Sequence, residues 1–351
     1  MKTFFQLKFP RFVLAALVLG LLTGRANAVD EVVLQSTGEM IRGTIANITK
    51  SGLEVQQTGK STPVPVTDIA EIRWDSEPPE LNITRIRERN GELEEALTTY
   101  QNLATSIETA KANLKKDVTF LAARTLGKQA IADPAKKDAA VKALEDFVNG
   151  NGDSIRYFEA LDWLGRVQKA AGEMAAAKAT YQRIATAEIP EIKTSGLNAL
   201  GRVKIEEEDF AGATADFDQV LQVGGEGPAA RRQQFAAELG KAIVLQKQGD
   251  NEGAAKLLDE VIAKASPDDA EVQAEAFLQK GICHEALGQQ QDALLAFLHV
   301  DILFSSQPDA HAEALFHLTR LWDAVGRADR AGSARAGLTQ RYPNSEWAKQ
   351  L

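Results

Sequence analysis

The chain has 351 residues, 44% hydrophobic and 6% aromatic, with a formal net charge of −9. That length allows two or three ordinary domains or one long repeat array. The acidic balance repels phosphate backbones and excludes a nucleic-acid partner on electrostatic grounds, and the single cysteine, Cys283, excludes an intramolecular disulfide.

Residues 1–28 carry Lys2, Lys8 and Arg11, then the apolar run Phe12–Leu22, then the small-residue stretch Ala26–Ala28. This is the layout of a secretory signal peptide, cleaved after Ala28, with a core too short to span a bilayer. Removing it takes away four basic residues, Arg25 included, and moves the net charge from −9 to −13. No later segment approaches the ~20 apolar residues of a transmembrane helix. The expected location is exported, periplasmic or extracellular, without stable membrane insertion.

Residues 29–76 read as a β-module. Short β-rich runs are predicted at 31–35, 40–48, 52–57, 62–66 and 69–74, punctuated by Thr37-Gly38, Ser51-Gly52 and Thr58-Gly59. Five such strands in so few residues suit a small, strongly bent barrel, because a flat sheet of this size buries too little. The spacing of Gly38, Ile41, Gly43, Ile45, Gly52, Leu53, Val55, Ile69 and Ile72 resembles SH3-like or Sm-like barrels. Sm-like relatives bind RNA or form rings. The acidic balance points away from the first, leaving an interaction or oligomerisation module. Pro78-Pro79 marks the boundary.

From residue 77 to 351 alanine-rich helical periodicity takes over. Leu164-Gly165, then Gly172, Ala177, Tyr181 and Ile184, return as Leu200-Gly201, Glu208, Ala213, Phe217 and Val220. They return again as Leu239-Gly240, Gly249, Ala254, Leu258 and Val261, then as Lys280-Gly281, Gly288, Ala293, Phe297 and Val300. The last copy is Leu318-Thr319, Gly326, Ala331, Arg335 and Leu338. Two looser copies, within 77–150, centre on Ala96 with Tyr100 and on Ala140 with Leu144 and Phe147; the clearer ones fill 151–351. The mean step is about 39 residues. Glycine costs about 1 kcal/mol against alanine inside a helix, so its recurrence needs a packing reason. The expectation is that Gly165 and Ala177 let antiparallel helices approach closely, that Tyr181 fills the gap against the next pair, and that Gly172 or Glu208-Asp209 turns the chain.

This pattern resembles the tetratricopeptide repeat family, W-x₂-L-G-x₂-Y…A-x₃-F…P. The family's first-helix tryptophan is replaced here by Leu161, Leu197, Ala236, Phe277 and Leu315, and the period exceeds the usual 34 residues. The resemblance implies a mainly α fold, an α-solenoid of about seven hairpins behind the β-module. It also implies a concave groove lined by first helices, with the residue after the glycine facing it. That residue is Arg166, Arg202, Lys241, Ile282 and Arg320 in turn, a cationic ladder suited to an acidic peptide. The lysine and asparagine set with which some relatives clamp a carboxyl terminus is not reproduced. The C-terminal repeats are similar to those of Tol–Pal-associated periplasmic coordinators.

Chemistry-bearing motifs are sparse. There is no phosphate-binding Gly-x-x-x-x-Gly-Lys-Ser/Thr loop, no His-Glu-x-x-His and no Gly-x-Ser-x-Gly. His284, His299, His311 and His317 fall close together in sequence, but 311 and 317 do not share a helix face, so no metal is expected. Cys283 reads as a small buried hydrophobe. No catalytic residue and no cofactor emerge. The expected function is an exported, non-enzymatic scaffold binding a protein or peptide, with a self-associating envelope component or a wall-metabolism accessory as rivals.

Overall fold

The computed structural model describes residues 29–75 and 77–351; the expected signal peptide lies outside the described residues. Strands β1 (Asp30–Leu34), β2 (Met40–Thr49), β3 (Gly52–Gln57), β4 (Lys60–Pro65) and β5 (Ile69–Arg73) fall close to the predicted runs. They form one antiparallel sheet in the order β4-β3-β2-β1-β5.

The expected barrel is not formed. No ladder joins β4 to β5 among the described residues, and the sheet stays open. Its bend lies in β2, whose first half, Met40–Gly43, pairs with β1 and whose second half, from Thr44, pairs with β3. Gly43 is required there, because a Cβ would overlap the Gln56 carbonyl and approach Val55 Cγ1 to 2.8 Å. Both edges are dealt with without closure. β4 carries Pro63 and Pro65, which lack the N–H that a further strand would need. On β5, the Ile72 carbonyl accepts a hydrogen bond from Arg85 of the first helix at 3.0 Å. The apolar face of the sheet, with Val32, Val55, Ile72 and Trp74, belongs to one hydrophobic cluster with Leu81, Val118 and Phe120 of the helical region. The solenoid supplies the second layer that a barrel would have supplied from itself.

Among the described residues seven helical hairpins follow. They are α1 (Pro79–Arg89) with α2 (Leu93–Ser106), α3 (Ala112–Ala132) with α4 (Lys137–Gly150), α5 (Tyr157–Ala170) with α6 (Met174–Ala185), and α7 (Pro190–Glu206) with α8 (Phe210–Val223). Then come α9 (Pro228–Lys247) with α10 (Asn251–Lys264), α11 (Ala270–Ala286) with α12 (Gln290–Leu303), and α13 (Pro308–Ala324) with α14 (Ala328–Arg341). A short α15 (Glu346–Lys349) packs back on α13. Successive odd-numbered helices also touch one another, α3 with α5, α7 with α9, α9 with α11 and α11 with α13, so they line one side of the stack. No helix among the described residues is long and apolar enough to cross a membrane.

The recurring glycine has a different reason from the expected one. A Cβ on Gly165 would lie 2.5 Å from the Tyr181 ring, one on Gly201 2.5 Å from Phe217, and one on Gly281 2.6 Å from Phe297. The ring therefore seats against the glycine of its own hairpin. Phe217 also touches Gly240 of the following hairpin, where the ring position of α10 holds Leu258 instead. Close backbone approach occurs elsewhere, at Gly196, where a Cβ would meet the Ile184 carbonyl carbon at 2.7 Å. Ala177, Ala213, Ala254, Ala293 and Ala331 are buried as the repeat requires. The hairpin turn needs a left-handed residue, Gly172 at φ 79° in one copy, and Glu208 adopts φ 60° at the same place without glycine's freedom.

Candidate functional site: the odd-helix face

The small residue that seats the ring fixes the rotation of each odd helix, and so fixes where the next residue stands. The structure extends the basic ladder into the two looser repeats. Thr84 is buried at the glycine position of α1, and its hydroxyl donates to the Glu80 carbonyl at 2.6 Å, as Thr319 donates to Leu315 at 2.8 Å in α13. Arg85 follows Thr84. In α3, Gly127 faces Leu144 at 3.5 Å, the pairing equivalent to Gly165 with Tyr181, and Lys128 follows it. Thus six of seven hairpins carry a basic rung: Arg85, Lys128, Arg166, Arg202, Lys241 and Arg320, with Ile282 the exception. The signal, a small residue followed by Arg or Lys, was present in sequence: Thr84 takes glycine's place in α1 at the usual step from Ala96, and in α3 the longer helix and the three-residue 3₁₀ turn after it displace Gly127-Lys128.

The first two rungs are used up inside the fold. Arg85, with only 8% of its side chain exposed, forks onto the Glu77 carboxylate at 2.7 and 2.8 Å while also holding the β5 edge. Lys128 binds Glu88 at 2.9 Å. These belong to a larger network no local motif announces. Asp117 accepts from Trp74 Nε1 at 3.1 Å and from Arg156 at 2.7 Å. Glu159 bridges Arg156 and Arg124 at 3.1 and 3.0 Å, and Arg124 forks onto Glu88, which also accepts from the Tyr100 hydroxyl. Burial would push the Asp117 and Glu88 carboxyls up. Arg156 and Arg85 outweigh it at the first, Arg124 and Lys128 at the second, so both stay below the usual carboxylate range. Burial, and then the Glu88 charge, raise the Tyr100 phenol. The sheet is thereby clamped onto α1, α3 and α5.

The later rungs are open. Arg166 is 55% exposed, pairs with Asp162 at 2.8 Å and lies over the Trp163 ring at 5.3 Å. Arg202 reaches past α9 to Glu275 of α11 at 3.6 Å. Lys241 leans toward α8 and pairs with Asp218 at 2.6 Å. Arg320 is 59% exposed, 4.0 Å from Glu285 and over the Phe316 ring at 5.6 Å. Every rung therefore has a carboxylate nearby, and the ladder is charge-balanced rather than purely cationic. A cleft of about 240 Å³ separates Val66 and Ile69 of the sheet from Phe158, Ile184 and Ile192 of the solenoid. At the other end Trp347 of α15 rests on Phe316 at 5.2 Å. Beneath it burial, then Glu275 and Glu346, push the Glu313 carboxyl up to about 7.

The four histidines are spoken for. His311 is buried between the Tyr342 hydroxyl and Asp301, both at 2.8 Å, and His317 stacks on Phe297 and bonds Glu285 at 2.6 Å. His284 bonds Gln289, and His299 bonds the Leu295 carbonyl. No group of His, Cys, Asp and Glu among the described residues has the geometry to hold a metal ion. Cys283 is buried, and burial raises its thiol.

Residues 159–187 match the tetratricopeptide repeat family model. The chain matches none of the curated proteins. Among solved structures it is similar to a tetratricopeptide repeat protein from Parabacteroides merdae, at 18% identity over 77% of this chain and 95% of that one, with a TM-score of 0.55. It is also similar to PilW, a type IV pilus biogenesis factor, at 19% identity, 65% and 96% coverage and TM-score 0.44. A Rap protein complexed with competence and sporulation factor gives 18% identity, 77% coverage of each chain and TM-score 0.49. At these identities only the fold is compared, and only the first carries weight for it. Residues 159–187 are a tetratricopeptide repeat, and the stack of hairpins around them has the fold of a tetratricopeptide repeat array.

Proposed function

We propose that the chain is an exported, non-enzymatic scaffold that holds a polypeptide segment along the odd-helix face from α5 to α13, between the sheet and α15. One observation carries this reading: Arg166 and Arg320 stand more than half exposed, yet are held upright by a carboxylate and an aromatic ring each. A guanidinium fixed in this way loses little freedom on binding and presents a planar fork to a carboxylate. An acidic partner exchanges with Asp162, Glu275 and Glu285 for these forks. That exchange is cheap, because an exposed ion pair contributes only about 0–1 kcal/mol. Export rests on the signal-like layout of residues 1–28, and an envelope setting on the likeness of the C-terminal repeats to Tol–Pal-associated coordinators.

The test is chemical crosslinking of the purified protein with its own envelope fraction, followed by mass spectrometry. A recovered polypeptide that is lost when Arg166, Arg202 and Arg320 are changed to glutamate, with helicity retained, supports the groove. Capture unchanged by the triple reversal discards it.

A further inference from the structure

Helix α12 carries the three most exposed large apolar side chains among the described residues: Leu295 at 58%, Ile302 at 69% and Leu303 at 62%. They are not scattered. The exposed positions Asp292, Leu295, His299 and Ile302 follow one another at steps of three and four, the spacing of a helix-pairing seam. The seam is rigid at its middle, where the His299 ring lies flat on Phe277 at 4.4 Å and bonds the Leu295 carbonyl at 2.7 Å. The inward face of α12 is already filled by Ala293, Phe297 and Val300. An apolar stripe of this kind on a soluble surface marks an interaction site.

We propose that this seam pairs with the same seam of a second copy of the chain, antiparallel, about a two-fold axis at His299. Two features on the surface select that occupant. The stripe is centred on His299, so a two-fold operation places Leu295 against Ile302 and Leu303 of the other copy and buries all six. The ends are complementary in charge. Asp292 stands exposed at the N-terminal end, and Arg341 of α14 stands at the other, donating to the Ser305 carbonyl at 3.2 Å. Reversal brings each Asp292 to the Arg341 of the second copy, forming a polar rim around an apolar centre. The even-helix surface used is not the face of the basic rungs, so the inference is independent of the proposed groove.

Light scattering of the purified protein at high micromolar concentration tests it. The expected mass is twice that of the chain, falling twofold when Leu295 and Ile302 are both changed to glutamate, with the circular dichroism spectrum unchanged. A single His299→Cys substitution should crosslink to itself on oxidation, since Cys283 is buried. Asp292→Cys should not, because the two positions would be about 21 Å apart along the paired helices. A monomer in the unsubstituted protein, a dimer that survives the double substitution, or self-crosslinking at 292 would each overturn the proposal. The groove reversals at Arg166, Arg202 and Arg320 should leave the dimer intact, which separates the two readings.

Discussion

Arg85 and Arg320 occupy the same repeat position at opposite ends of one stack, and they do different work. Arg85 is enclosed, forked onto Glu77 and bonded to the backbone of β5, whereas Arg320 faces solvent with Glu285 at 4.0 Å. The difference lies in what covers them. The sheet lies on the first hairpins, and its strand edge, with Glu77 of the link that follows β5, fills the place a partner would take. One position on one fold thus serves as glue where a layer covers it and as a recognition element where nothing does. The covered end also shows the kind of contact such a rung makes: a fork onto a carboxylate plus a bond to an extended backbone.

The largest expected effect is at the covered end. Asp117→Asn leaves Arg156 and Arg85 without their shared buried charge, and removing one member of such a pair costs about 3–5 kcal/mol. Chemical denaturation should show that loss, and a change under about 1 kcal/mol would mean that the network does not clamp the sheet. A smaller effect belongs to the open end and depends on pH. The Glu313 carboxyl is raised to about 7 by burial, then by Glu275 of α11 and Glu346 of α15, against the opposing charge of Lys247 of α9. His317 lies 4.0 Å away on the same helix. The folded protein favours the neutral acid, so its contribution is complete below about 4.5 and is lost as pH rises to about 7. The unfolding free energy should fall by up to about 3 kcal/mol across that window, and Glu313→Gln should flatten the dependence. The smallest effect is in the turn before α8. Glu208→Gly puts the residue its neighbouring repeats use, Gly172 and Gly249, into the left-handed conformation and should add about 1 kcal/mol of stability.

Much of the fold was legible because its determinants are local. Turn glycines at 38, 52 and 59 separated the first four strands, and most hairpins declared themselves by a small residue and an alanine at fixed spacing, with a ring four residues on in Tyr100, Tyr181, Phe217 and Phe297. Closure of the sheet was not legible, since it depends on whether β4 and β5 find each other or find helices. The first rung was hidden because Thr84 stands where most repeats carry glycine, and the second because α3 and the turn after it move Gly127-Lys128 one residue out of the common spacing. The ionic network joins Glu77, Asp117 and Arg156, which are about 40 residues apart in succession and obey no short pattern. Of the carboxylates beside the open rungs, Asp162 stands one helical turn before Arg166 and was legible, but Glu275 meets Arg202 only because two long side chains reach past α9.

The contrast between the two ends is tested most directly by unfolding Arg85→Ala and Arg320→Ala side by side in denaturant. The account predicts a loss of about 3–5 kcal/mol for the first, whose removal strands the buried Glu77 and frees the β5 edge, and under about 0.5 kcal/mol for the second. Equal losses, or a larger one at Arg320, would contradict the division of the stack into a covered end and an open one.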